Sequence, residues 1–185
     1  MGVPHREADA TVDLELIARW QGGDQRAAGE IVERHAQALA RFAASHGVRD
    51  AVDELVQDTF VRAFGSLESF RADSSLRTWL FTILKRLMLD RQRAERRGRN
   101  KVELEEDHAV QEFNALDGMV ADEALTRVRQ AVERLSPLQR EVFTLRVTEG
   151  LPYVEIARIV ESTEGACRVH YHNAMRAIKE YLSDD

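Results

Sequence analysis

The chain has 185 residues, of which 44% are hydrophobic, and this is enough to bury a core in one domain or in two small ones. It is acidic, with 26 Lys and Arg against 32 Asp and Glu. Its single cysteine, Cys167, excludes an internal disulfide, no apolar run is long enough to cross a membrane, and residues 1–10 are too charged for a signal peptide. We therefore expect a cytoplasmic protein without membrane insertion.

Apolar residues in the first part of the chain recur with the period of a helix. Leu14, Ile17 and Ala18 begin one apolar stripe, and residues 27–39 carry a second. The two glycines before Asp24 predict the end of the first helix, and Asp24 predicts the cap of the second. A further helix is expected from position 50. Its polar face holds Asp53, Glu54, Gln57, Asp58 and Arg62.

The next predicted helix begins near Leu76, after a loop at 65–75, and either Ser74 or Ser75 can cap it. It is apolar at its beginning and basic at its end: residues 85–101 hold eight Lys or Arg against two acids. Eight charges exceed what the helix dipole requires, so this end is predicted to bind a polyanion. The alternative is a solvated helix end.

Three aromatic residues, Phe70, Trp79 and Phe81, precede the basic segment. Aromatic faces next to cationic groups are what unstacked bases require. Trp79, however, belongs to the apolar stripe of its helix, which favours a place in the core.

An acidic segment follows the basic one. Residues 102–125 hold eight acids and no Lys or Arg, and their apolar residues have no sustained period. We interpret residues 101–120 as a linker, ordered only when it is bound.

The last part of the chain, residues 121–183, is predicted to be helical throughout. The segment Ser136-Pro137-Leu138-Gln139 has the pattern of a capping box with proline at the first helical position. A short helix at 152–160, a three-residue turn and a long helix at 164–181 then give the geometry of a helix-turn-helix.

The second helix of a helix-turn-helix lies in the DNA major groove, so its outward side chains contact bases and phosphates. The candidates to face outward are Arg168, His170, His172, Asn173 and Arg176, while Ala166, Val169, Ala174 and Ile178 are expected to face inward. The alternative is the solvated face of an ordinary three-helix bundle.

Metal and enzyme chemistry are not expected. On one helix Cys167 and His170 share a face, but His172 points elsewhere, and a structural zinc site needs four ligands. The carboxylates of the polar face at 53–58 have neither a histidine nor a glycine-rich loop to complete a catalytic site. We expect no catalytic residue, no metal and no cofactor.

Four segments, in this order, carry a resemblance to a known family. They are GDQRAA at 23–28 with ERH at 33–35, DELVQDTFVRAF at 53–64, FRADSSLRTWL at 70–80 with Asp90 and the arginines beyond it, and LSPLQREVF at 135–143 with EGLPYVEIA at 149–157. With these segments the chain resembles the extracytoplasmic-function (ECF) sigma factors, the small two-domain class of bacterial transcription initiation factors.

The resemblance implies an all-α fold of two small helical domains joined by the acidic linker. A σ2-like domain at 10–100 would bind core polymerase, recognise the minus-ten element and melt it, and a σ4-like helix-turn-helix domain at 121–183 would recognise the minus-thirty-five element. The implied polymerase-binding residues are Asp53, Glu54, Gln57, Asp58 and Arg62. The implied minus-ten residues are Phe70, Arg71, Asp73, Ser74, Ser75, Lys85, Arg86, Arg91 and Arg93. The implied minus-thirty-five residues are Arg168, His170, His172, Asn173 and Arg176.

The implied partners are core RNA polymerase, promoter DNA and an anti-sigma factor. In the strand-opening helix Leu84-Lys85-Arg86 stands where the family commonly has Ala-x-Asn, and the recognition helix has fewer cations than is usual. We therefore expect a promoter sequence unlike the family's commonest one. The alternative function is a stand-alone helix-turn-helix regulator, which would need a dimer surface that the sequence does not reveal.

Overall fold

A computed structural model describes residues 4–48, 50–99 and 123–183, which form eight α-helices and contain no β-strand. The helices are α1 (Pro4–Gln21), α2 (Gln25–Ser45), α3 (Val52–Gly65), α4 (Leu76–Arg99), α5 (Glu123–Glu133), α6 (Pro137–Phe143), α7 (Tyr153–Ile159) and α8 (Glu164–Ser183). A 3₁₀ turn, Leu67–Ser69, follows α3, and a π-helical segment, Thr144–Thr148, continues α6. The predicted linker at 101–120 lies outside the described residues.

The predicted caps are confirmed at three helix starts. The Asp24 side chain accepts a hydrogen bond from the backbone N–H of Arg26, the second residue of α2, at 3.0 Å. Ser75, rather than Ser74, caps α4, since its hydroxyl oxygen accepts from the N–H of Thr78 at 3.2 Å. Ser136 and Gln139 form both bonds of the capping box at α6. These bonds satisfy backbone donors that have no partner within a helix.

Helices α1 to α4 form the first helical unit, with α2 and α4 at its centre. Phe42 on α2 and Phe81 on α4 are fully buried and meet edge to face, with ring centroids 5.2 Å apart. Ile31, Leu39 and Leu80 are also almost fully buried around them. Burial of side chains of this size stabilises the unit by about 1.5–3 kcal/mol each.

A buried polar group joins α1 to α2. The Asp13 carboxylate lies 3.1 Å from Nε2 of His35 and accepts a hydrogen bond from Nε of Arg34 at 3.0 Å. Burial by itself raises the pKa of the Asp13 carboxyl, but the hydrogen bonds and charges of His35 and Arg34 outweigh it, and the net pKa is lowered. The carboxylate therefore stays ionised inside the bundle.

Helices α5 to α8 form the second helical unit, in which α8 packs against α5, α6 and α7. The inner face of α8 consists of Cys167, Ala174 and Ile178, all buried. Ala174 and Ile178 pack with residues of α5 and with Leu135 in a separate small cluster. The unit thus has the predicted arrangement, in which α7 and α8 form a helix-turn-helix.

The two helical units are packed against each other. Helix α7 lies along α4, and the π-helical segment contacts α2. One continuous buried cluster joins them, containing Leu84 and Leu87 of the first unit and Leu145 and Ile156 of the second. The chain therefore folds as two units with a shared core.

His46, the C-cap residue of α2, makes the stability of the fold depend on pH. Its Nδ1 lies 2.7 Å from the backbone oxygen of Phe42, and its Nε2 is buried without a partner. Burial lowers the pKa of His46 below 6.5, against smaller opposing effects of the bond to Phe42 and the charge of Glu141. The unfolded chain therefore takes up a proton at His46 more readily than the folded protein does. This contribution to stability is fully present above about pH 6.5, the pKa of histidine in the unfolded chain, and it is lost as the pH falls through the lower pKa of the folded state.

We expect urea unfolding to show a lower free energy of unfolding at about pH 5.5 than at about pH 7.5. His46→Gln should reduce that difference, because the titrating group is gone. His172→Gln, at an exposed position, is the matched control and should leave it unchanged. An equal pH dependence in the His46→Gln variant and the wild type would contradict the prediction.

Candidate nucleic-acid interface

The polar face predicted on α3 is exposed to solvent. Asp53, Glu54, Gln57, Asp58 and Arg62 all lie on this surface. Glu54 also forms an ion pair with Arg91 of α4, with Oε2 and Nη1 3.3 Å apart. Because both groups are exposed, this pair adds little stability and leaves the face open to a partner.

An apolar groove runs beside this polar face, and the sequence did not reveal it. Its volume is about 370 Å³, and its lining includes Val32 of α2 with Val56, Phe60 and Phe64 of α3. Val61 at its edge is 64% exposed, the highest value among the large hydrophobic side chains of the described residues. The sequence does contain one signal of this groove: Val61 is an apolar residue that lies outside the inward-facing stripe of α3. The surface therefore combines an apolar centre with a charged rim, as protein interfaces do.

The loop at 70–75 leads from the 3₁₀ turn into α4. The ring of Phe70 is half-buried against Trp79, with centroids 5.2 Å apart. Arg71 and Asp73 are exposed, whereas Ser74 is half-buried. Trp79 is itself half-buried at the edge of the core, and Phe81 is fully buried. Phe81 therefore cannot stack on a base, and Phe70 is the accessible aromatic residue of the loop.

A cavity of about 550 Å³ opens beside this loop. The loop supplies Phe70, Ser74 and Ser75 to its lining. The second helical unit supplies Glu149 and Glu155. The space next to the predicted base-binding loop is thus bounded on one side by carboxylates.

The basic residues of α4 fall into two groups. Arg86, Arg91 and Arg93 are exposed. Lys85 is not: its side chain is 16% exposed and its Nζ lies 2.8 Å from Oε1 of Glu141. In this arrangement of the two units, Lys85 is held by a carboxylate, while the arginines further along α4 face solvent.

The structure corrects the predicted orientation of one apolar residue of α8. Arg168, His172 and Arg176 are exposed as predicted, one turn apart. Val169 is 58% exposed, so its predicted inward orientation is wrong; Cys167 occupies the core position instead. The reason is geometric, since Cys167, Ala174 and Ile178 share a face from which Val169 is rotated away.

The remaining candidates on α8 are less accessible. His170 and Asn173 are half-buried, at the margins of the exposed stripe. The guanidinium of Arg168 lies over the Tyr153 ring, 4.8 Å from its centroid, and is ion-paired with Glu164. These contacts orient Arg168 before any ligand binds.

Two further properties concern the described residues only. No group of three or more His, Cys, Asp or Glu side chains in them could hold a metal ion. No helix among them combines the length and apolar character needed to span a bilayer.

Comparison with known proteins gives consistent results for both units. The Sigma-70 region 2 family matches residues 31–98, and the Sigma-70, region 4 family matches residues 125–178. RNA polymerase sigma factor NccH of Alcaligenes xylosoxydans xylosoxydans is 34% identical over 155 residues, which is 80% of this chain and 83% of that protein. ECF RNA polymerase sigma factor BldN of Streptomyces coelicolor is 28% identical over 186 residues, covering 98% of this chain and 70% of that protein.

A solved structure has a similar fold. The sigma factor RpoE of Bartonella quintana, crystallised in complex with the anti-sigma factor NepR, superposes with a TM-score of 0.65 and 28% sequence identity. The match covers 85% of this chain and 97% of that one.

The burial of Cys167 provides a test of the orientation of α8. The residue is fully buried, and burial together with the charge of Glu141 raises the pKa of its thiol. Because the thiolate is the reactive form, native protein should react with Ellman's reagent on the order of a hundredfold more slowly than unfolded protein. A Cys167→Ala/Val169→Cys variant should react rapidly in the native state. Rapid native labelling of Cys167 in the wild type would show that this face of α8 is turned outward.

Proposed function

Since this chain belongs to the extracytoplasmic-function (ECF) sigma factors of RNA polymerase, we propose how its residues carry out promoter recognition. The protein binds core polymerase, recognises the minus-thirty-five and minus-ten elements and opens the DNA for initiation. One observation supports this assignment most directly: a protein-docking surface on α3 and a helix-turn-helix formed by α7 and α8 occur in the order of the two family regions.

The polymerase-binding surface is assigned to α3. The apolar groove around Phe60, with Val61 at its edge, supplies buried contact area, and Asp53, Gln57 and Asp58 set the register against a basic partner. Glu54 and Arg62 complete the polar rim. The groove adds an apolar anchor to the charged face that was predicted from the sequence.

Recognition of the minus-ten element is assigned to the loop at 70–75 and to α4. Phe70 would stack on a base extruded from the melted strand, next to the polar side chains of the loop, Arg71, Asp73, Ser74 and Ser75. The cationic side chains of α4 would hold the backbone of that strand. They are Lys85, Arg86, Arg91 and Arg93.

Recognition of the minus-thirty-five element is assigned to α8. Arg168, His172 and Arg176 form a polar stripe that suits base edges and phosphates, with His170 and Asn173 at its margins. Val169 lies beside this stripe, where an exposed methyl group favours contact with the methyl group of thymine.

The protein acts by binding and not by catalysis, and we place it in the cytoplasm, where RNA polymerase works. An anti-sigma factor is the expected regulator, as in the similar RpoE complex. The region 2 match disfavours a stand-alone helix-turn-helix regulator, because such a regulator needs no polymerase-docking domain.

Binding to core polymerase tests the docking surface. Combined charge reversal, Asp53→Lys/Asp58→Lys, should weaken binding about tenfold or more, corresponding to ~1.4 kcal/mol, and Val61→Glu should do the same by placing a charge at the groove. Glu133→Lys, an exposed change on α5, is the matched control and should bind like the wild type. Affinity is measured by titration of labelled protein with core enzyme. Tight, specific binding of duplex promoter by the isolated chain, without affinity for core enzyme, would favour the stand-alone regulator instead.

Promoter selection tests the recognition helix separately from polymerase binding. A promoter is first selected from randomised DNA with the reconstituted holoenzyme. Arg176→Ala and His172→Ala should then reduce run-off transcription about tenfold each, because a lost base or phosphate contact costs about 1–3 kcal/mol. Both variants should retain their affinity for core enzyme. Unchanged transcription by both would remove α8 as the upstream reader.

A further inference from the structure

Tyr153, the first residue of α7, contacts two cations through its ring. The guanidinium groups of Arg146 and Arg168 each lie over this ring, 4.8 Å from its centroid. Arg146 belongs to the π-helical segment and Arg168 to α8. The ring itself is half-buried. One aromatic side chain therefore connects a cation next to the core of the unit with a cation of the reading helix.

Arg146 is tied to the turn that leads into α7. Its Nη1 donates a hydrogen bond to the backbone oxygen of Leu151 at 2.9 Å. The backbone N–H of Leu151 in turn donates to the backbone oxygen of Leu145 at 2.9 Å. The turn is thus held from both sides of Leu151, two residues before Tyr153. Arg146 is part of the scaffold that fixes the position of the Tyr153 ring.

Two further aromatic rings support Tyr153 from its own unit. Tyr171 of α8 meets it edge to face, with ring centroids 6.0 Å apart. Tyr171 is also stacked with Phe143 of α6, at a centroid distance of 6.5 Å. Both geometries are favourable arrangements of aromatic quadrupoles. The ring of Tyr153 is therefore oriented by contacts that do not involve Arg168.

Arg168, in contrast, has little else to hold it. Its side chain is 60% exposed, and its ion pair with Glu164, one turn earlier on α8, is a surface pair of small energy. A long exposed side chain loses conformational entropy when a ligand orders it, and a contact that orders it beforehand reduces this loss. A ring face attracts the charge of the guanidinium but offers no strong acceptor, so the N–H donors stay available for bases and phosphates.

We propose that Tyr153 is a positioning residue for promoter recognition: its ring holds Arg168 in the orientation in which Arg168 meets the minus-thirty-five element. This role belongs to the face of the ring and not to its hydroxyl. The inference rests on the proposed function, because it takes the reading role of α8 from it. It adds that the readout depends on a side chain of α7, outside the reading helix.

The experiment changes the charge distribution of the ring and keeps its shape. Tyr153→Phe retains the ring face without the hydroxyl and is the reference protein. Pentafluorophenylalanine at position 153 has nearly the shape of phenylalanine, but fluorine withdraws the negative charge from the ring face that attracts a cation. Both proteins are reconstituted with core polymerase. Anisotropy at fixed salt then gives the affinity of each holoenzyme for a labelled duplex that carries the selected upstream element.

The fluorinated holoenzyme should bind this duplex about threefold more weakly than the reference, since one cation–π contact at an exposed site is weak but measurable. Equal affinities would overturn the proposal, because the attraction between ring and cation would then have no part in recognition.

A double-mutant cycle tests whether the ring acts through Arg168. The same pair of proteins is compared with Arg168→Ala added to both. The loss caused by fluorination should disappear, because the cation that the ring positions is gone. An equal loss with and without Arg168 would overturn the proposal, since the ring would then act by another route.

Tyr181 provides a matched control in the same unit. Its ring lies 4.5 Å from the guanidinium of Arg134, and neither residue is among the reading residues of α8. Pentafluorophenylalanine at position 181, compared with Tyr181→Phe, should leave the affinity for the duplex unchanged. An equal loss at both positions would reflect a general weakening of the unit and would contradict a specific role of Tyr153. Thermal melting checks the fold, and Tyr153→Leu against Tyr153→Phe gives the same comparison if the fluorinated protein is unstable.

The single variant Arg168→Ala separates failure of this inference from failure of the proposed function. If its holoenzyme binds the duplex as tightly as the wild type, Arg168 has no reading role, and both the assignment of that role and the inference fail. If Arg168→Ala weakens binding and fluorination at position 153 does not, only the positioning role of Tyr153 is wrong.

Discussion

Helix α4 is packed on two sides, and the arrangement of the whole chain depends on this. One side carries Leu80 and Leu84 into the bundle formed with α2, where Phe81 meets Phe42. The other side meets α7 of the second unit. A helix shared in this way makes the two units parts of one buried cluster, and it fixes where the polar residues of α4 must point.

The polar residues on the shared side explain the chemistry of the contact. Arg77 and Lys85 are two turns apart on α4 and therefore on the same face, and Thr78 lies next to Arg77. Packing against α7 removes much of the water around these polar groups, and the second unit supplies the carboxylates of Glu149, Glu155 and Glu141 as their partners. The requirement that buried charges be paired thus links the core to the surface that would hold a DNA strand.

Local structure was largely predictable because it depends on neighbours in sequence. The caps at Asp24 and Ser136, the inward stripe of α4 and the helix-turn-helix at 153–183 follow from helical period and capping chemistry. The inward placement of Val169 was wrong because Ala166, Cys167 and Val169 at the beginning of α8 offer more than one plausible inner face. Only packing against α5 and α6 selects the face that holds Cys167.

The sequence by itself determined the family, the order of the helices and the exposed polar faces of α3 and α8, since these depend on periodicity and on motifs within short segments. The tertiary structure alone decided that the units share a core, that Lys85 faces Glu141 and not solvent, and that Val32 joins Phe60 and Phe64 in a groove. These features unite residues tens of positions apart, and no local pattern encodes which distant carboxylate will neutralise a given cation. The choice is made when the helices pack, because only then is water excluded and each buried charge must find its partner.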